Sequence, residues 1–381
     1  MKKYFFFAAC ASVAFASCVN DVPDLALESQ QKIVFEAPVV SPSSRVAEIA
    51  NPYPTTGQFS VWAHYYKDGT YTKYNQGTMF MNNVTCNYDG SLLGWSAGDY
   101  FFPKNGSLTF SAYSPSSADA TISENGISFT DYVVDGDVAK QVDLLFSERA
   151  YDKKGYDNVT SVLYAVVALN FKHALSSIRF AVKAYGDYGK TDILVKKIEV
   201  LNAYSKADFV QPVEDTNSAQ TKDVVRNSDK VTFENFGWSN FENPTTYVAY
   251  NNPSPTVVLT HDDLFYPHTG KIGEISYNTT DLILIPQLLK HSVTEHVKVR
   301  VTYNLVNPGG VTIEQVSEID LVNDDDYYDG YESDLNTKIV EDVTAWERGK
   351  RYTYVISVAL DKIYFEPVVA PWDDIYVAPG I

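Results

Sequence analysis

Apolar and polar residues alternate with a period of two along most of the chain. In the first such stretch, Phe59, Val61, Ala63 and Tyr65 would share one face. The same spacing recurs at Leu108-Phe110-Ala112, Val142-Leu144-Phe146, Val167-Leu169-Phe171, Ile178-Phe180-Val182, Val297-Val299-Val301-Tyr303 and Tyr352-Tyr354-Ile356-Val358. This period places side chains on one face of a β-strand, so the pattern predicts many short strands.

Turn-forming residues separate these stretches, including Asp89-Gly90, Asn105-Gly106 and Asn307-Pro308-Gly309-Gly310. No sustained amphipathic helix is visible, and the best helical candidate, residues 335–346, is short. Short strands with this punctuation are typical of sandwiches and barrels rather than of a parallel sheet wrapped by helices. We therefore predict an all-β fold with little helix.

The chain length suggests two tandem β-sandwich domains of ordinary size. A polar stretch, Lys153-Lys154-Gly155-Tyr156-Asp157-Asn158, comes before a new series of strands. We therefore place the division near residue 160, with one domain over residues 46–160 and the other over residues 161–381. No strict short repeat occurs, which argues against a solenoid or a propeller.

The N-terminus is typical of an export signal. Lys2 and Lys3 precede an apolar run that ends in Phe15-Ala16-Ser17-Cys18. The run is too short for a membrane span, so we interpret residues 1–17 as a signal peptide. Its last four residues resemble the lipobox of bacterial lipoproteins, in which the cysteine is acylated. This implies lipidation at Cys18 and anchoring to the outer membrane; an ordinary signal peptide with an incidental Cys18 is the alternative.

Cysteine usage is consistent with that interpretation. Of Cys10, Cys18 and Cys86, the first lies in the signal peptide. If Cys18 carries lipid, Cys86 has no intrachain partner, and the fold must be held by its core alone. The alternative, a Cys18–Cys86 disulfide, would tie a flexible tail to the first domain.

The net charge and the absence of known catalytic motifs argue against nucleic-acid binding and against catalysis. The net charge of −18 becomes −20 once Lys2 and Lys3 are removed, and such a surface repels nucleic acid. The six histidines have no zinc-site spacing, and no nucleophile elbow, P-loop or dinucleotide fingerprint occurs. We expect neither enzymatic activity nor a cofactor. The acidic loop from Asp324 to Asp329 lacks the alternating carboxylates of a calcium loop, so a solvated loop is favoured over a calcium site.

Several separated stretches, in order along the chain, resemble the fimbrillin family, the subunits of type V pili. They are Lys32-Ile33-Val34-Phe35, Ser43-Ser44-Arg45-Val46, Trp95, Tyr100-Phe101-Phe102-Pro103, Leu108-Thr109-Phe110-Ser111-Ala112-Tyr113-Ser114-Pro115, Leu169-Asn170-Phe171-Lys172-His173-Ala174-Leu175-Ser176, Leu284-Ile285-Pro286-Gln287, Trp346-Glu347-Arg348-Gly349-Lys350-Arg351-Tyr352-Thr353-Tyr354 and Val368-Val369-Ala370-Pro371-Trp372-Asp373.

The resemblance implies transthyretin-like sandwiches and a lipidated propeptide over residues 18–45. A trypsin-like protease would cut between Arg45 and Val46 and expel a strand whose apolar face is Ile33 and Phe35. A C-terminal strand of another subunit, with Ile363, Phe365, Ile375 and Val377 as its alternating apolar residues, would fill the groove.

The resulting expectation is a structural pilus subunit for cell adhesion at the outer membrane. Its partners would be other pilin subunits, the lipoprotein-processing machinery and a trypsin-like protease. Two alternatives stay open: a tip or anchor subunit of the same system, and a carbohydrate-binding surface lipoprotein, since exposed aromatic side chains stack well on sugars.

Overall fold

The computed structural model describes residues 31–41, 49–67, 71, 77–123, 126–155, 164–212, 237–267, 271–272, 281–292, 294–322 and 343–372. Within these residues the strands are β1 (Lys32–Glu36), β2 (Pro38–Ser41), β3 (Ile49–Pro52), β4 (Phe59–Tyr66), β5 (Thr78–Asp89), β6 (Gly94–Ser96), β7 (Ser107–Ser114), β8 (Thr121–Ser123), β9 (Gly126–Val133), β10 (Leu145–Ser147), β11 (Ala150–Lys153), β12 (Tyr164–Ala168), β13 (Phe171–His173), β14 (Ser176–Ala184), β15 (Asp192–Val210), β16 (Trp238–Asn251), β17 (Phe265–Tyr266), β18 (Lys271–Ile272), β19 (Leu282–Leu284), β20 (Lys298–Val306), β21 (Thr312–Asp320), β22 (Lys350–Val358) and β23 (Ile363–Pro371).

The described part of the chain is almost entirely β-structure, as the alternation predicted. Its one helical element is a 3-10 turn, Val138–Lys140. The helical candidate at residues 335–346 falls mostly outside the described residues, and residues 343–346 are not helical. In the described ranges, no helix has the length and apolar character needed to cross a membrane.

The first sheet has eleven strands in the order β12-β1-β6-β5-β4-β7-β10-β13-β2-β3, with β11 paired to β7. Only Ala37 separates β1 from β2, although these strands lie far apart in that order. Strands β12 and β13 are likewise separated only by Leu169 and Asn170 but lie far apart in the order. The sheet therefore folds back on itself and encloses a core rich in aromatic side chains, among them Phe59 and Phe110.

Two six-stranded sheets enclose the second core. One has the order β18-β17-β14-β22-β23, with β19 on β14, and the other has the order β21-β20-β15-β9-β8, with β16 on β15. Strand β20 has the apolar face that the period-two alternation predicted. Val299, Val301 and Tyr303 are buried, while the residues between them are partly exposed. Strand β20 thus turns one alternating face inward, whereas β14 in the other sheet is buried on both faces.

Strand membership does not follow a single cut at residue 160. Strands β8 and β9 precede that position, yet β9 pairs with β15 in a sheet of the second core. Strands β12 and β13 follow it, yet both belong to the first sheet. The polar stretch begins with the last residue of β11 and precedes β12 in the sequence. Sheet membership changes between β7 and β8, between β9 and β10, and between β13 and β14. The division into two domains stays a prediction.

Candidate functional site

Residues 32–39 pair in parallel with residues 164–171 along their whole length. Strand β1 is in register with β12 from Lys32 opposite Tyr164 to Glu36 opposite Ala168. The Leu169 N–H donates to the Glu36 carbonyl at 2.8 Å. Strand β2 then continues the same register, with Val39 opposite Phe171. The two short strands and Ala37 therefore form one continuous parallel partner of the β12–β13 segment, and we call residues 32–41 the N-terminal segment.

The other side of the N-terminal segment is paired as well. Phe35 lies opposite Trp95 in β6, and the Ile33 N–H donates to the Tyr100 carbonyl at 2.9 Å. Strand β2 pairs with all four residues of β3. A Cβ at Gly94 would lie 2.6 Å from Val34 Cγ1 and 2.8 Å from the Phe35 carbonyl oxygen, so a larger residue there would push β1 away. The segment is thus an interior strand of the sheet.

The apolar side chains of this segment complete the first core. Ile33 and Phe35 are 1% and 0% exposed, respectively. The Phe35 ring meets Phe110 at 5.4 Å and Phe59 at 6.3 Å between centroids, both edge to face. Val34 points to the other face and is equally buried. The sequence identified Ile33 and Phe35, but the burial of Val34 follows from the close approach of Gly94.

Tyr53 lies in the same core and was not identified from the sequence. Its ring lies 5.7 Å from Phe171, Trp95 and Phe59 between centroids. Its hydroxyl lies 2.7 Å from Ser114 Oγ, and burial raises its pKa to about 12. Because Tyr53 follows residue 45, it would stay behind if residues 18–45 were removed, and its ring would then form part of the exposed apolar surface.

Cys86 is a buried free thiol in this core. It lies opposite Phe59 in the β4–β5 pair, and burial raises the pKa of its thiol. A neutral thiol without solvent access reacts slowly. Its reactivity would therefore report whether the first core is open.

The C-terminal strand β23 is bound within its own chain. All nine of its residues pair with β22, which places β23 at the edge of its sheet. Ile363 and Phe365 are buried in the second core, where the Phe365 ring lies 5.7 Å from that of Tyr354. These two residues of the expected donor strand thus already have partners. Five other expected site residues and the acidic loop lie outside the described residues: Cys18, Arg45, Val46, Ile375, Val377 and residues 324–329.

A buried polar contact lies where the two cores meet. His173 Nδ1, at the end of β13, lies 2.7 Å from Asp143 Oδ2, and both side chains are fully buried. Trp372, which directly follows β23, stacks on the His173 ring at 4.0 Å with 15° between the planes. The sequence placed His173 and Trp372 in separate motifs. Contacts across 30 and 199 residues leave no local signal, so neither Asp143 nor the stack could be predicted.

A second buried charge cluster joins β14, β22 and the start of β19. Asp281 accepts from Arg179 Nε at 2.7 Å, from Arg351 Nε at 3.0 Å and from Ser177 Oγ at 2.7 Å. Across the ranges that the structure describes, no group of three or more His, Cys, Asp or Glu side chains is placed to hold a metal ion. This cluster is an ion pair within the sheet rather than a metal site.

Comparison with known proteins identifies the fold. The family model of fimbrillin-like proteins matches residues 55–372. A fimbrial protein from Bacteroides vulgatus has a similar structure, with a TM-score of 0.51 and 17% identity over 82% of this chain and 92% of that one. The tip fimbrial protein Mfa3 from Porphyromonas gingivalis, with a C-terminal truncation, matches with a TM-score of 0.35 and 9% identity over 89% of this chain and 99% of that one. The search of curated proteins gives no match. Because the family match covers most of the sequence, the chain belongs to the fimbrillin-like family.

Proposed function

We propose that the protein is a structural subunit of a surface fimbrium, exported as an outer-membrane lipoprotein and polymerised by strand exchange. Family membership supports a role in fimbriae or adhesion. In this proposal Cys18 carries the lipid and a trypsin-like protease cuts between Arg45 and Val46. The residues that leave, 18–45, include the whole N-terminal segment. Other subunits of the fimbrium are the partners, and the protein has no catalytic role.

The observation that carries the proposal is the position of the N-terminal segment. It is an interior strand of the first sheet, and it precedes Arg45 in the chain. Removing an interior strand would expose backbone donors and acceptors on both flanking strands together with the apolar groove around Phe59 and Phe110. A donated strand restores both the ladder and the burial.

The energies involved are large enough to drive assembly. Burial of Ile33 and of Phe35 stabilises the fold by about 1.5–3 kcal/mol each. Each ladder hydrogen bond adds roughly 0.5–1.5 kcal/mol. Together a few such contributions are comparable to the whole stability of a domain, about 5–15 kcal/mol. A cut subunit with an empty groove should therefore either accept a strand or unfold.

The donor strand is assigned to the residues after Trp372. Ile375 and Val377 have the same i, i+2 spacing as Ile33 and Phe35 and can present an equivalent apolar pair. Ile363 and Phe365 would stay in the subunit's own second core, because donating them would break the pairing of β23 with β22. The incoming strand would run parallel to β12, as β1 does.

The test compares the unaltered protein with Arg45→Ala, both treated with a trypsin-like protease. We expect ladders on an unboiled gel for the unaltered protein and a folded, stable monomer for Arg45→Ala. Arg226→Ala, which changes an arginine far from the segment in sequence, is the control and should polymerise normally. Ladders from Arg45→Ala would show that cleavage there does not control assembly.

An anchor or tip subunit is the second candidate. The complete pairing of the N-terminal segment on both sides is also what a subunit that is never cut would retain. N-terminal sequencing of protein extracted from the cell surface separates the two roles. A shaft subunit begins at Val46, and an anchor begins at an acylated Cys18.

A further inference from the structure

We propose that the stack of Trp372 on His173 is an autoinhibitory contact that holds the end of β23 until the N-terminal segment has left. Release of the C-terminal donor would then depend on opening of the groove in the same subunit. This inference rests on the proposed strand exchange and adds a control step to it.

The contact holds Trp372, the residue from which the C-terminal tail (residues 373–381) continues. Trp372 is 2% exposed, and its indole lies face to face with the His173 ring. The backbone N–H of Trp372 also donates to the Gly349 carbonyl at 2.9 Å. The proposed donor residues Ile375 and Val377 follow only a few residues later. The stack therefore holds the chain directly before the segment that contains the proposed donor residues.

The stack depends on a polar pair that is only partly satisfied. Among the described residues, Asp143 Oδ1 and His173 Nε2 are buried without a hydrogen-bond partner. Burying such atoms without a partner costs free energy, which offsets part of the gain from the contact between Nδ1 and Oδ2. The pair is held in place by the strands around it, and small displacements of those strands should be enough to open it.

Strand β13 links this pair to the N-terminal segment. It is only three residues long, and β10 pairs with it on one side, including Leu145 opposite His173. Its partner on the other side is β2, with Val39 opposite Phe171. Removing residues 18–45 takes β2 away and leaves β13 paired on one side only. Phe59, which packs against Phe171, also loses its contact with Phe35.

The consequence is an ordered sequence of events within one subunit. In an uncut subunit, the N-terminal segment fills the groove and Trp372 stays stacked on His173. Cleavage frees one edge of β13, His173 moves, and Trp372 loses the ring on which it stacks. A subunit would become able to donate only after it has become able to accept, which prevents uncut precursors from entering the fibre through their tails.

Hydrogen exchange measured by mass spectrometry tests this in chains that start at residue 18, with Cys18→Ser to keep them soluble. The chain cut at Arg45, with Val46 confirmed as its N-terminus, is measured at low concentration directly after cleavage, before it can take up a donor strand, and is compared with the uncut chain. We expect cleavage to speed exchange in both β12–β13 and the last residues of β23, by roughly tenfold or more. In the uncut chain, Trp372→Ala and His173→Gln should speed exchange at the end of β23 while leaving β1 and β12 protected.

Val368→Ala is the matched control, because it shortens an exposed apolar side chain on the same strand and should leave exchange unchanged. Opening of β12–β13 without any change in β23 would overturn the autoinhibitory contact and leave strand exchange intact. So would unchanged exchange of β23 in both Trp372→Ala and His173→Gln. Full protection of β12 after cleavage would instead contradict the proposed strand exchange itself.

Discussion

Phe35 and Phe110 meet edge to face, with ring centroids 5.4 Å apart and 79° between the ring planes. One ring belongs to the segment that we propose is removed, and the other belongs to β7, which stays. The contact therefore joins the removable and permanent parts of the first core.

Phe35→Ala should destabilise the uncut chain by about 3–5 kcal/mol, because it leaves a cavity among Phe59 and Phe110. Urea unfolding followed by far-UV circular dichroism measures the loss. Val166→Ala on the neighbouring strand is the control, since Val166 is 47% exposed and its loss should cost within about 0.5 kcal/mol. Equal effects of the two changes would mean that the N-terminal segment does not contribute to the core.

Cys86 should be unreactive in the uncut chain and reactive after cleavage at Arg45. Its thiol is fully buried beside Phe59, and its pKa is raised by that burial, so labelling requires opening of the first core. With Cys18→Ser in a chain lacking the signal peptide, Cys86 is the single thiol, and maleimide labelling followed by mass spectrometry counts it directly. Arg45→Ala treated with the same protease should stay unlabelled. Labelling that is equally slow before and after cleavage would argue against an open groove.

Stability should fall as the pH drops below about 6.5, the ordinary pKa of histidine. Burial lowers the pKa of both His64 and His291 in the folded protein. As the pH falls through the unfolded pKa, the unfolded chain therefore takes up these protons before the folded chain does, and unfolding is favoured. Melting temperatures at about pH 7.5 and about pH 5.5 measure the effect. Replacing both side chains, by His64→Gln and His291→Gln, should reduce the difference, and an unchanged difference would assign it to other groups.

Asp281→Ala should destabilise the protein by about 3–5 kcal/mol, because it leaves Arg179 and Arg351 buried without their shared carboxylate. Denaturant unfolding gives the free energy. Asp262→Ala is the matched control, as the Asp262 carboxylate is 91% exposed and pairs with a half-exposed His261. A loss no greater than that of the control would show that the cluster adds little to stability.

Cys18→Ser should abolish acylation and retention at the outer membrane. The prediction rests on the lipobox-like residues that end in Cys18. Palmitate labelling of cells that express each form measures it, with Cys86→Ser as the control that should label normally. Labelling of Cys18→Ser as strong as that of the unaltered protein would place the lipid on another residue, and no labelling of either form would mean that the N-terminus is an ordinary signal peptide.

The all-β fold could be predicted because it depends on local periodicity, and the strand around Ile33 and Phe35 because its sequence resembles the fimbrillin family. Strand β20 alternates between buried and partly exposed residues as its sequence indicates. The exchange of β8–β9 and β12–β13 between the two halves could not be predicted, because pairing partners are set by contacts between distant residues. The same holds for Asp143 beside His173, since a single aspartate in a loop has no pattern that marks it as buried.

The parallel pairing of β1 with β12 has a consequence for how subunits can be ordered. A donor that runs in the same direction as β1 would enter the groove one way round, so each subunit would have one giving end and one receiving end. Contacts of this kind are heterologous and do not close into a symmetric pair. A polymer built on them has a fixed polarity, because every subunit gives on one side and receives on the other, and the two ends of the fibre are chemically different.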